Sequence, residues 1–265
     1  MNRRGMLLSL AVALPITLGV GAETAAQTQN PIRFGAPLAL TGPVSSFGAQ
    51  DKRALDIAIN EINAAGGRAL VIVADITRQS EAVAAVEATL KEFDRLDTLV
   101  NNAGVMLNAN ILNADTSEWE RMIDLNLKGL LYVTHAALPH LLKAAEDSPR
   151  KVADVVNLSS VAGRRARLSA GVYNATKFGV VAFTESLRQE VTAKHVRVSV
   201  VEPGVVSTEL ASHMNSANRE ASMKPFTGLT ALESEDVAEI ILFIVTRHWR
   251  SAINEVMVRP TEQSF

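Results

Sequence analysis

With 265 residues, 48% of them hydrophobic, the chain is long enough for one globular domain, or for one domain with an appendage. Its formal net charge of -2 excludes the basic footprint that nucleic acid demands, so no nucleic-acid partner is expected. No cysteine is present, which excludes disulfides and thiolate metal sites.

The chain opens with the three-part layout of a secretory signal over residues 1–26. Arg3 and Arg4 precede the apolar run LLSLAVALPITLGV, and GAETAAQ offers small residues for cleavage. The run is short of the roughly 20 residues a membrane-spanning helix needs, so no stable membrane span is expected. Use of the signal would make the protein periplasmic or secreted, with 27–265 as its single domain; an unprocessed chain would be cytoplasmic.

Strand-like and helix-like segments then alternate. IRFGAPLAL (32–40) reads as a strand. In 49–65, Ala54, Leu55, Ile57, Ala58, Ile59 and Ile62 recur at helical spacing, and Gly66 and Gly67 close the helix. RALVIVAD (68–75) is a strand, 80–93 an amphipathic helix, and DTLVNNAG (97–104) a strand running into a loop. A long helix is predicted over 116–143, a strand over 154–160, a helix over 171–194 and a strand with a turn over 197–204. A helix over 235–247 precedes the last strand, NEVMVRP (254–260). Apolar, β-branched runs separated by helices mean a parallel sheet covered on both faces. The expectation is therefore a doubly wound α/β domain of about six strands, with 68–75 lying directly beside 32–40.

YNATK carries the first chemistry. Tyr173 and Lys177 are four residues apart on a predicted helix and share a face. A nearby ammonium favours phenolate and is expected to lower the tyrosine pKa from its usual value near 10, making the phenol a usable acid or base. Ser160 ends a strand at the carboxyl edge of the sheet, where open α/β folds place their ligands. Its hydroxyl could hold a carbonyl oxygen for the tyrosine to protonate. Read without further context, the Tyr–Lys pair could equally be a solvated helix face, Asn126 a polar residue inside a long helix, and Pro203-Gly204 a simple turn. Arg164, Arg165 and Arg167 read as a solvated basic loop, with acidic substrates as the functional alternative. His135, His140, His195, His213 and His248 show no ligand spacing, so no metal is expected.

NNAG, the NLK of DLNLKG, NLSSVAG, YNATK and PGVVST, in this order, resemble the short-chain dehydrogenases/reductases over about 64–265. The resemblance implies a Rossmann-like oxidoreductase that uses NADP or NAD, with NADP favoured, to interconvert a small-molecule alcohol and carbonyl. It implies Tyr173 as proton donor and acceptor, Lys177 as the group that lowers its pKa and holds the nicotinamide ribose, Ser160 as the positioner of the substrate oxygen, and Asn126 as holder of a water. Asp75 would lie near the adenine; Asn101, Ala103 and Gly104 would line the adenosine side. Pro203, Gly204, Val206 and Thr208 would border the nicotinamide carboxamide. A homodimer or homotetramer is also implied, through outer faces carrying Leu130, Val133, Ala137 and Leu141 on one helix and Val180, Phe183 and Leu187 on the other; the alternative is that these faces simply cover the sheet. The stretch INEVMVRPTEQ further resembles a branch with NADP-dependent serine and 3-hydroxy acid dehydrogenases.

The family's dinucleotide turn reads TGxxxGxG. Here Thr41, Gly42 and Gly48 fit, but Ser46 replaces the middle glycine and Pro43 removes an amide donor. From Thr41 to Asn101 is also one β–α unit too short. IRFGAPLALTGPVSSFGAQDKRALDIAINEINAAGG instead resembles the start of branched-chain amino acid-type periplasmic binding proteins, in keeping with the signal. The chain thus reads as a fusion, 27–67 of binding-protein type and the remainder a dehydrogenase lacking one β–α unit. The chain is therefore expected to bind NAD(H) and NADP(H) poorly and to turn over little or nothing. Two functions rival the oxidoreductase: a catalytically silent fusion unable to bind cofactor, and an exported amino-acid-binding protein.

Overall fold

The structure, a computed structural model, describes residues 67–264 in full and, before them, the backbone of two strands. The remainder of the signal-like segment, the LTGPVSSFG loop and the helix expected over 49–65 lie outside the described residues. The strands are β1 (Leu8–Leu14), β2 (Ile32–Leu38), β3 (Arg68–Val73), β4 (Thr98–Asn101), β5 (Ala153–Leu158), β6 (Val196–Pro203) and β7 (Glu255–Val258). They form one sheet in the order β3-β1-β2-β4-β5-β6-β7. Neighbours from β2 to β7 pair in parallel.

The sheet has seven strands where about six were expected, and 68–75 does not lie beside 32–40. β1, drawn from the N-terminal apolar run, sits between them and pairs antiparallel with both, Leu14 opposite Ile32 and Leu8 opposite Val73. Unpaired backbone groups on the facing edges of β2 and β3 call for some strand between them, and an apolar, extended run supplies one.

The helices are α1 (Gln79–Phe93), α2 (Thr116–Ile123), α3 (Leu130–Asp147), α4 (Gly171–Val191), α5 (Ser216–Met223) and α6 (Ser234–Val245). Period-two alternation in the strands divides the core between two faces. Leu99, Val155 and Val198 join the helices α1, α3 and α4 on one side. Val100, Val156 and Val201 join Ile244 and Val245 of α6 on the other.

Two helix expectations change. The long helix over 116–143 is interrupted by a π-helical turn, Asp124–Gly129, between α2 and α3. The faces expected to meet a second subunit instead cover the sheet: Leu130, Val133, Ala137, Leu141, Val180 and Leu187 are buried within this chain, and Phe183 packs against the same core. A doubly wound sheet needs an apolar stripe on each covering helix, and that need consumes these side chains first.

Candidate active site

The carboxyl ends of β4, β5 and β6 bring the expected residues together. Ser160 comes just after β5 and caps a short 3-10 turn, its hydroxyl accepting from the Ala162 amide at 3.1 Å and donating to the Pro203 carbonyl at 3.4 Å beyond β6. Tyr173, in the first turn of α4, is buried, and Ser160 is the side chain that acts on its phenol. Lys177, one turn further, is also buried; its ammonium donates to the Leu158 carbonyl at 2.9 Å and lies 5.9 Å from the centre of the tyrosine ring.

The electrostatics differ from the expectation. Burial pushes the Tyr173 phenol up to about 12, opposed by the polar side chain of Ser160. Burial pushes Lys177 down to about 8. Desolvation penalises the charged form of either group, and an ammonium that spends its hydrogen bond on a backbone carbonyl does not overcome it for the phenol.

Asn126 sits in the π turn and is buried. Its Oδ1 accepts from the Val105 amide at 2.7 Å, while Nδ2 donates to the Val105 carbonyl at 2.9 Å and to Thr176 Oγ1 at 3.2 Å. A π turn inserts one extra residue per turn and re-aims the side chains beyond it, and such turns concentrate at functional sites. Gly104 packs against this pair: a Cβ there would meet Asn126 Oδ1 at 3.3 Å and Lys177 Nζ at 3.6 Å. Ala103 is half-buried against the core.

Other expected residues are occupied locally. The Asn101 side chain is buried, donating to Thr134 at 2.9 Å and to Asn157 at 2.8 Å in a polar seam. Asp75 stands just past β3 and accepts from the Thr77 hydroxyl at 2.6 Å, capping its own turn. Gly204 is pressed by the C-terminal segment, where Gln263 Oε1 would stand 2.2 Å from an added Cβ. Val206 bridges to Leu232, and Thr208 caps the turn Glu209–His213.

The sequence reading missed several residues that hold this arrangement. Asn174, next to the tyrosine on α4, donates to the Ala162 carbonyl at 2.7 Å and accepts from the Arg167 amide at 3.1 Å, fixing the segment between Ser160 and Tyr173. Ser159 donates to the Lys177 carbonyl at 3.0 Å. Gln263 accepts from the Val205 amide at 3.0 Å. Arg164, expected in a solvated loop, reaches the fully buried Glu202 at 2.6 Å and also pairs with Glu255. Burial, with Glu255 adding repulsion, raises the Glu202 carboxyl above its ordinary value despite Arg164. Only the polar residue beside the tyrosine was visible as a signal; the other partners come from distant segments.

A cleft opens beside the tyrosine, lined by Leu107, Asn108, Trp119, Met122, Val172 and Tyr173. Among the described residues, no cluster of three or more His, Asp or Glu side chains could hold a metal. No described helix is long and apolar enough to cross a membrane.

Comparison with known proteins points one way. The short chain dehydrogenase family profile matches residues 41–219. An uncharacterized oxidoreductase of Staphylococcus saprophyticus is 34% identical over 193 residues, spanning 72% of this chain and 76% of that protein. One from Staphylococcus aureus is 32% identical over 190 residues, spanning 72% and 75%. The closed form of serine dehydrogenase complexed with NADP+ superposes with a TM-score of 0.63 at 33% identity, over 72% of this chain and 76% of that one. A 3-ketoacyl-(acyl-carrier-protein) reductase from Brucella melitensis complexed with NADH gives 0.61 at 26% identity, over 71% and 76%.

Proposed function

The chain belongs to the short-chain dehydrogenase family, and from that premise we propose that it is an NAD(P)-dependent oxidoreductase interconverting an alcohol and a carbonyl. The observation that carries the reading is the convergence of Ser160 and the buried Tyr173, with the Lys177 ammonium 5.9 Å from the tyrosine ring. Ser160 holds the substrate oxygen, and Tyr173 gives it a proton in reduction and takes one in oxidation. A nicotinamide, when bound, supplies or accepts the hydride. Asn126 holds the Gly104 segment against Lys177 and, in this proposal, a water behind the lysine.

The lysine also fits the cofactor. A buried ammonium whose hydrogen bond goes to a carbonyl, and whose pKa is moved by burial alone, keeps donors for neutral hydroxyls such as those of a ribose. Ala103, Gly104, Pro203, Gly204, Val206 and Thr208 would offer backbone and small side chains beside it, and Asp75 and Asn101 would lie toward the adenosine. NADP is favoured over NAD, with support from the likeness to a serine dehydrogenase complexed with NADP+. Fluorescence titration with NADPH and NADH is expected to give micromolar affinity for NADPH. Tyr173→Phe should keep that affinity and lose about a hundredfold or more in turnover. Binding of neither nucleotide would overturn the proposal.

The N-terminal part of the proposal is a segment over 27–67 of binding-protein type fused to a dehydrogenase that lacks one β–α unit. Its support is the short interval from Thr41 to Asn101. Localisation depends on the fate of residues 1–26. Cleaved as a signal, the protein is periplasmic or secreted; retained, 8–14 stay in the sheet and it is cytoplasmic. The mass of the purified N-terminus distinguishes the two. A homodimer or homotetramer completes the proposal, with sedimentation as its test.

A further inference from the structure

Asn108 stands in the loop after β4, is 7% exposed, and lines the cleft beside Tyr173. One end of its carboxamide is used: Nδ2 donates to Ser222 Oγ at 2.9 Å, on α5. The other end, Oδ1, is buried without a hydrogen-bond partner. Buried acceptors are almost always satisfied, and an unpaired one in a cleft wall marks where a ligand's donor belongs. Leu107, Met122 and Val172 line the cleft beside it, and Ser169 and Tyr173 are its hydroxyl-bearing residues.

Resting on the oxidoreductase reading, we infer that Asn108 selects the substrate: its carboxamide oxygen accepts from a second hydroxyl on the substrate, near the reacting carbon. The substrates are then short hydroxylated alcohols and carbonyls rather than plain aliphatic ones. A hydroxyl suits the place better than an ammonium. Lys177, 5.9 Å from the tyrosine ring of the same cleft, is already a buried cation whose pKa is moved only by desolvation, so a second buried cation nearby would be repelled. An analogue that lacks the hydroxyl is rejected, because it leaves Oδ1 unpaired in the cleft wall.

Two ketones that differ by one hydroxyl test this on the full chain: kcat/KM for NADPH-dependent reduction of 4-hydroxy-2-butanone and of 2-butanone. The wild type is expected to prefer the hydroxyketone by about tenfold or more, the loss of one buried hydrogen bond. Asn108→Leu and the milder Asn108→Ser should bring the ratio close to one, while Ser222→Ala should retain the preference. An unchanged ratio in both Asn108 variants would overturn the inference. So would an equal collapse in Ser222→Ala, which would make Asn108 a latch for α5 only. Failure of the wild type to reduce either ketone would sink the oxidoreductase reading separately. Binding would then decide Asn108, since Trp119 lines the cleft and Trp249 is the second of the chain's 2 tryptophans. In a Trp249→Phe background, 1,3-butanediol should quench Trp119 fluorescence at about tenfold lower concentration than 2-butanol. Equal concentrations would overturn the inference.

Discussion

Lys177 and Tyr173 are both buried, and burial sets their titration in opposite senses. The folded lysine has its pKa lowered from 10.5 to about 8. Between those values the unfolded chain binds more protons than the folded one, so stability rises with pH. The burden is full below about 8 and gone above about 10.5. Lys177→Met should therefore be more stable than wild type near pH 7, by up to about 3 kcal/mol at roughly 1.4 kcal/mol per pKa unit, less what the bond to Leu158 contributes. The gap should close as pH rises from 8 toward 10. Urea unfolding of both proteins at pH 7 and 10 measures it, and a gap that widens would refute the account. Glu202 has the reverse sign. A carboxyl raised by burial contributes stability at low pH that is lost as pH rises through its folded pKa. Glu202→Gln should thus lose less stability than wild type between pH 5 and 8, with Arg164 keeping Glu255 as its partner.

The π turn between α2 and α3 shows how an element places a residue. The turn Asp124–Gly129 holds Asn126 in the core, on both backbone groups of Val105. Asn126→Ala leaves the Val105 amide and carbonyl buried and unpaired. At about 1–3 kcal/mol for each such group, the expected loss is roughly 2–6 kcal/mol. Thermal unfolding checks the size. Hydrogen exchange should locate the loss in the loop after β4, where the Val105 amide loses its protection. A variant with wild-type stability would mean that the turn holds its shape without the asparagine.

At the scale of the whole molecule, β1 joins β3 to the rest of the sheet, so β3 and the helix α1 next to it in the chain depend on residues 8–14. Removing 1–26 takes β1 out and leaves facing edges of β2 and β3 unpaired. The truncated chain is expected to have a lower midpoint in urea, with amides of 68–73 exchanging early while those of β5 and β6 stay protected. Equal protection of 68–73 with and without 1–26 would show that β3 finds another partner. The same experiment bears on export, because a processed protein would have to manage without that strand.

Alternation of apolar runs with amphipathic helices was enough to read the parallel α/β order, since a strand buried on both faces must be apolar along its length, as ADVVNL is. Tyr173 and Lys177 were legible because four-residue spacing on a helix fixes a shared face. The inward turn of Asn126, the capture of Arg164 by Glu202 and Glu255, and the hold of Gln263 on Gly204 were not legible, because each joins segments far apart in the chain. The sequence likewise could not say that apolar helix faces would be spent on the sheet, since burial against a sheet and burial against a subunit ask for the same side chains. Periodicity and local spacing are properties of neighbours along the chain, and these the sequence determined. Which charges are desolvated, which acceptor is left over beside the tyrosine, and which strand lies between β2 and β3 depend on packing, and only the tertiary structure decided them.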